Sequence, residues 1–160
     1  MLLVDQIAFN LIQSISSPVM DQAMQFISLL GNAVFWLIVI AVIYWSGRKK
    51  ESLFLSLGLT LNLIVTGFFK ELIARPRPNE FDSIRIIEKS DSFSMPSGHA
   101  SVAATMFGFN AVKARNALVG LFAAILIVLV MISRIYLGVH YLTDVLAGLI
   151  VGLIVALIMI

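Results

Sequence analysis

The sequence predicts an all-α fold: a polytopic membrane helical bundle of about five transmembrane helices, with an N-terminal amphipathic helix in the interface. Three observations carry this expectation. Of 160 residues, 60% are hydrophobic, and five spans at about 20 residues each would occupy roughly 100 positions. Only 12% are charged, half of the roughly 25% usual in soluble domains. The mean hydropathy is +1.01. These values exclude a water-soluble globular domain, a disordered chain and a nucleic-acid-binding module. A formal charge of +2 is too small for a polybasic lipid patch. Cys is absent, which excludes disulfides, thiol catalysis and Cys-ligated metals. Five helices do not divide into two independent bundles, so residues 1–160 are expected to form one integral membrane domain.

The elements follow in chain order. In residues 1–17, Leu3, Val4, Ile7, Ala8, Leu11, Ile12 and Ile15 recur at helical spacing. Asp5, Gln6, Gln13 and Ser14 lie off that face, and Pro18 ends the segment. This helix is expected to lie in the interface; packing against the bundle is the alternative. The first span is Phe26 to Trp45, with Tyr44 and Trp45 as interfacial aromatics. Arg48, Lys49 and Lys50 follow it. The second span is Ser52 to Phe69, stopped by Lys70. A polar loop with Pro76 and Pro78 leads to the third span, which opens near Ser97 or His99 and runs to Val112. The fourth is Asn116 to Ser133, closed by Arg134, and the fifth runs from about Leu142 to Ile160. Asn62 and Thr66, inside the second span, are expected to hydrogen-bond between helices. The stripe Gly148, Gly152, Ala156 is expected to pack the bundle internally rather than make a dimer. An oligomer is possible but not indicated.

The first basic residue is Arg48, so no signal-peptide n-region and no cleavage are expected. The raw balance of Lys and Arg across the loops does not fix orientation. The absence of Lys and Arg before Arg48 favours an outside N-terminus, in the plasma or inner membrane. Lys70, Arg77 and His140 then face the extracytoplasmic, periplasmic side.

Three polar clusters stand at the same ends of the spans. Lys70 follows the second span, with Arg77-Pro78 seven residues on. Pro96-Ser97-Gly98-His99 opens the third. Ser133-Arg134 closes the fourth, and His140 and Asp144 open the fifth. The crossings bring all three to one membrane face. His99 and His140 are the only histidines. On a helix, His140 and Asp144, four apart, share a face. The carboxylate can then accept the Nδ1 proton and leave Nε2 free as nucleophile or base. Lys70, Arg77 and Arg134 are three cations held together at a membrane surface, which an anionic ligand explains, phosphate first. Ser97 and Gly98 lie at a helix start, where free N–H groups and the dipole favour an anion. The set points to phosphoryl transfer.

Lys70-x6-Arg77-Pro78, Pro96-Ser97-Gly98-His99 and Ser133-Arg134-x5-His140-x3-Asp144 together resemble the tripartite signature of the type 2 phosphatidic acid phosphatase superfamily. The resemblance covers roughly residues 52–160. It implies that His140 attacks phosphorus and becomes a phosphohistidine, that Asp144 orients it, and that His99 protonates the leaving oxygen and then activates water. It implies that Lys70, Arg77 and Arg134 bind the non-bridging oxygens, helped by Ser97 and the Gly98 amide. No metal and no cofactor are expected. Arg75, Glu71, Glu80, Asp82, Glu88 and Asp91 fall outside the signature and are read as solvated loop surface, with a headgroup contact as the alternative for Arg75.

The expected partners are the bilayer and a membrane lipid phosphate, and no nucleic acid. Undecaprenyl diphosphate, phosphatidylglycerol phosphate, phosphatidic acid and lipid A 1-phosphate all fit motifs that address the phosphate alone. The loop 79–95 and the N-terminal helix are expected to choose among them. Two alternatives to hydrolysis stay open: a lipid phosphotransferase using the same phosphohistidine, and a non-enzymatic lipid-phosphate transporter.

Overall fold

A computed structural model of the chain describes residues 2–78 and 84–160. The loop acids Glu80 and Asp82 lie outside the described residues. Those residues form seven helices: α1 Leu3–Gln13, α2 Pro18–Leu29, α3 Ala33–Trp45, α4 Lys49–Ile73, α5 Gly98–Ala114, α6 Ala117–Tyr136 and α7 Leu142–Ile158.

Local chemistry sets the boundaries. Ser17 caps α2 by accepting from Met20 N at 3.2 Å, with Pro18 at the first helical position. Asn32 caps α3 through Val34 N at 2.7 Å. Asn116 caps α6 through Leu118 N at 2.9 Å and Val119 N at 3.3 Å. Ala74, left-handed at φ 47°, closes α4.

The predicted first span, Phe26 to Trp45, is not one helix. The chain breaks at residues 30–32, and α2 and α3 meet at 51°. Asn32 starts a new helix, and the Trp36 indole donates to the freed Leu30 carbonyl at 2.8 Å. Gly31 allows the bend to approach the start of α5. A Cβ there would stand 2.6 Å from the His99 carbonyl oxygen and 2.8 Å from Val130 Cγ1. The second span also ends later than expected. Lys70 does not stop α4, because a flexible lysine in a last turn can carry its charge outward while the helix continues to Ile73.

By length and composition, α4 and α6 can each cross a bilayer, and the bent pair α2 and α3 supplies a third candidate. Helix α7 is apolar but shorter. Helix α5 sits at the centre, with Ala100 through Met106 all buried against the other helices. A central helix has no need of a lipid-facing apolar surface, so its polar residues turn inward. Asn62 of α4 donates to Ser101 Oγ at 2.6 Å and Thr105 Oγ1 at 2.7 Å, and Thr66 reaches Ser101 at 3.3 Å. The small-residue stripe packs α7 on α5. A Cβ on Gly148 would stand 2.5 Å from the Ser97 carbonyl oxygen, and one on Gly152 would overlap the Ser101 carbonyl. Outward side chains such as Leu37, Ile38, Phe122 and Ile154 are exposed hydrophobics, as a lipid environment requires.

Helix α1 packs on the bundle against α6 and α7, with Phe9 and Ala8 buried. Its orientation is the reverse of a soluble amphipathic helix. Leu3, Val4, Ile7, Leu11 and Ile15 are exposed, whereas Asp5 is fully buried.

Candidate active site

Four helix ends meet at one end of the bundle: the C-termini of α4 and α6 and the N-termini of α5 and α7. Lys70, in the last turn of α4, donates to the Phe93 carbonyl. Arg77 leaves the same helix through Arg75-Pro76 and points its guanidinium inward. Its Nε donates to Ser92 O at 2.6 Å, and NH2 reaches Ser92 Oγ at 2.9 Å and Phe93 O at 3.4 Å. Lys70 and Arg77 thus converge on one carbonyl.

Arg134, in the last turn of α6, is buried. It donates to Ser28 of α2 and makes a two-pronged pair with Glu88, both N···O distances being 3.0 Å. Its Nε is buried without a hydrogen-bond partner among the described residues. That orphaned donor is a costly group unless an acceptor arrives. Ser97 caps α5 through Ala100 N at 3.5 Å, and its own N–H donates to the Asp144 carbonyl at 2.9 Å. Gly98 and His99 form the first turn of α5, whose N–H groups and dipole face this end. His99 lies within electrostatic range of Arg134, His140, Arg77 and Lys70. All eight residues that the sequence singles out therefore stand at one end of the bundle.

His140, in the short connection between α6 and α7, is 2% exposed. Its Nε2 lies 3.2 Å from Arg77 NH1. A guanidinium only donates, so Nε2 is the acceptor and the proton sits on Nδ1. Burial pushes the His140 imidazole down to about 3, against the opposing pull of Asp144. The ring is therefore neutral at physiological pH. Nδ1 faces Asp144, but the nearest carboxylate oxygen is 3.6 Å away, beyond a direct hydrogen bond. Ser94 closes the gap. Its hydroxyl lies 3.4 Å from Nδ1 and donates to Asp144 Oδ2. Asp144 Oδ2 also accepts from Tyr141 N at 2.9 Å, so the carboxylate caps α7 as well.

Two residues read as solvated surface are instead bound into this end. Glu88 neutralises Arg134. Arg75 pairs with Asp144 at 2.6 Å and with Asp5 at 3.0 Å. Their partners lie far away in sequence, so a local reading leaves them unpartnered. The one available signal for Arg75 was the doubled Arg-Pro of Arg75-Pro76-Arg77-Pro78. Ser94, buried and unmotivated by any motif, carried no signal at all.

The PAP2 superfamily model matches residues 51–160. The chain belongs to the PAP2 superfamily. It is 33% identical over 152 residues to phosphatidylglycerophosphatase B of Bacillus subtilis, covering 87% of this chain and 73% of that relative. It is 27% identical to lipid A 4'-phosphatase of Porphyromonas gingivalis, covering 95% of this chain and 70% of that relative. Among solved structures, it superposes on the crystal structure of a transmembrane PAP2-type phosphatidylglycerolphosphate phosphatase from Bacillus subtilis. The TM-score is 0.86 at 29% identity, over 97% of this chain and 82% of that one. The superposition extends the likeness beyond the family match, into α1–α3. This PAP2 chain is accordingly an integral membrane protein.

Proposed function

We propose that this PAP2 protein hydrolyses a lipid phosphate or diphosphate through a phosphohistidine at His140. The observation that carries the reading is the buried His140, with Nε2 3.2 Å from Arg77 NH1 and Nδ1 turned to Ser94 and Asp144. Nε2 attacks phosphorus, and the bond to the lipid oxygen breaks as His99 delivers a proton to it. His99 then takes a proton from water, which attacks the phosphohistidine and releases inorganic phosphate. Lys70, Arg77 and Arg134 bind the non-bridging oxygens, and the unpartnered Arg134 Nε gains an acceptor. The Ser97–His99 helix start adds its dipole. Fixed cations fill the charge-stabilising role that a metal has elsewhere.

In this reading the chain is one domain with five crossings: the bent α2–α3 pair, α4, α5, α6 and α7. The N-terminus and the site are extracytoplasmic, in the plasma or inner membrane. The lipid enters sideways with its tails still in the bilayer. Helix α1 and residues 84–95 flank the phosphate site and choose the headgroup.

The test is phosphate release by the purified protein in detergent. The panel holds phosphatidylglycerol phosphate, phosphatidic acid, undecaprenyl diphosphate and lipid A 1-phosphate. At least one is hydrolysed, with or without chelator. Activity lost to chelator and restored by Mg²⁺ contradicts the mechanism. Labelled phosphate appearing on a second lipid, with little free phosphate, makes the protein a transferase.

A further inference from the structure

We infer that Arg75, anchored by Asp5 of α1, is a positioning residue for the reaction, acting through Asp144 and Ser94. The inference rests on the reading of His140 as nucleophile.

Asp144 is a fully buried carboxylate. Such a group is tolerated only when paired and hydrogen-bonded. Its Oδ2 is taken by Ser94 and Tyr141 N, while Oδ1 is held by Arg75 NH1 at 2.6 Å. Histidine 140 is not the cation for this carboxylate, since the ring is neutral and 3.6 Å distant. Arg75 is. It also fixes Ser94, because the Arg75 carbonyl accepts from Ser94 N at 2.8 Å. One residue thus holds both groups that stand behind His140 Nδ1.

Arg75 is itself immobilised. Its guanidinium lies 4.1 Å from the Tyr141 ring centroid. NH1 also donates to Thr143 Oγ1 at 2.6 Å, and NH2 to Asp5 Oδ2 at 3.0 Å. Asp5, fully buried, accepts further from Thr143 N and Thr143 Oγ1, both at 3.1 Å. It therefore caps the start of α7 from a different helix. This explains why α1 turns its apolar side chains outward. The helix carries one acid to the back of the site, and lipid covers the rest.

The test is steady-state kinetics on a lipid phosphate that the purified protein hydrolyses, beside thermal unfolding in detergent. Arg75→Gln should lower kcat by about tenfold or more with KM changed less than about twofold, the pattern of a lost positioning interaction. Arg75→Lys should recover part of kcat. Asp5→Asn should lower kcat less, and Asp5→Asn with Arg75→Gln should be no worse than Arg75→Gln alone, because both act through one network. Wild-type kcat in folded Arg75→Gln overturns the inference, as does a KM rise at unchanged kcat, which would make Arg75 a headgroup contact. If Arg75→Gln does not fold, Arg75→Lys and Asp5→Asn decide: wild-type kcat in both also overturns it. His140→Ala in the same assay separates the two readings. Turnover in that variant removes the nucleophile assignment, whereas an inactive His140→Ala beside a fully active Arg75→Gln removes only the role of Arg75.

Discussion

His140 shows how one side chain's surroundings set its chemistry. Arg77 at 3.2 Å decides the tautomer, and burial decides the charge. The consequence is measurable as stability. An unfolded histidine titrates near 6.5, while burial pushes the folded group down to about 3. Between those values the unfolded chain binds a proton that the folded chain does not. Stability is therefore lost as pH falls through that window and is fully present above it. Thermal unfolding in detergent across the window should show this slope, and His140→Gln should make it shallower. An unchanged slope in that variant would place the titrating group elsewhere. At this scale the sequence was most legible where residues are scarce. Two histidines in the whole chain, each within a motif, could be placed at this end of the bundle without coordinates. Asp144 was harder, because spacing alone suggested a direct bond to His140. The carboxylate instead accepts from Ser94, whose hydroxyl lies between it and Nδ1, and also caps α7. Arg75, Glu88 and Asp5 were opaque because each partner lies dozens of positions away.

Among the elements, α5 and α7 make the closest contact, and their glycines explain it. A Cβ on Gly152 would overlap the Ser101 carbonyl, whereas a Cβ on Gly67 of α4 would meet none of the described residues within 4 Å. The same substitution should therefore act oppositely at the two sites. Gly152→Ala should destabilise by about 1–3 kcal/mol, the usual cost of overpacking. Gly67→Ala should be neutral or stabilising by up to about 1 kcal/mol. Melting temperatures in detergent check both, and equal effects would contradict the packing account. The Gly148, Gly152, Ala156 stripe and the bonds of Asn62 and Thr66 to α5 were legible because spacing alone fixes a helix face. The break at residues 30–32 was not. A run without charge looks continuous, and only the cap at Asn32 and the approach of Gly31 to His99 reveal the bend. The exposed apolar face of α1 was legible as a stripe, but its direction depends on where Arg75 stands.

Across the whole molecule, the bundle holds a few polar groups together at one end of an apolar body. Lys70, Arg77 and Arg134 come from two helix ends and a loop, and the histidines from the start of α5 and the α6–α7 connection. Topology alone predicted that convergence, since successive crossings return to one face. It could not predict that Arg134 and Arg77 are already engaged, by Glu88 and by residues 92–93. In the proposed reaction, His140 carries the phosphoryl group between lipid and water. Rapid acid-free quenching of the protein with a labelled lipid phosphate, followed by mapping of the label, tests it most directly. Phosphate should appear on His140, more of it in His99→Ala given a substrate with a good leaving group, and none in His140→Ala. Label on another residue, or phosphate release by His140→Ala, would contradict it.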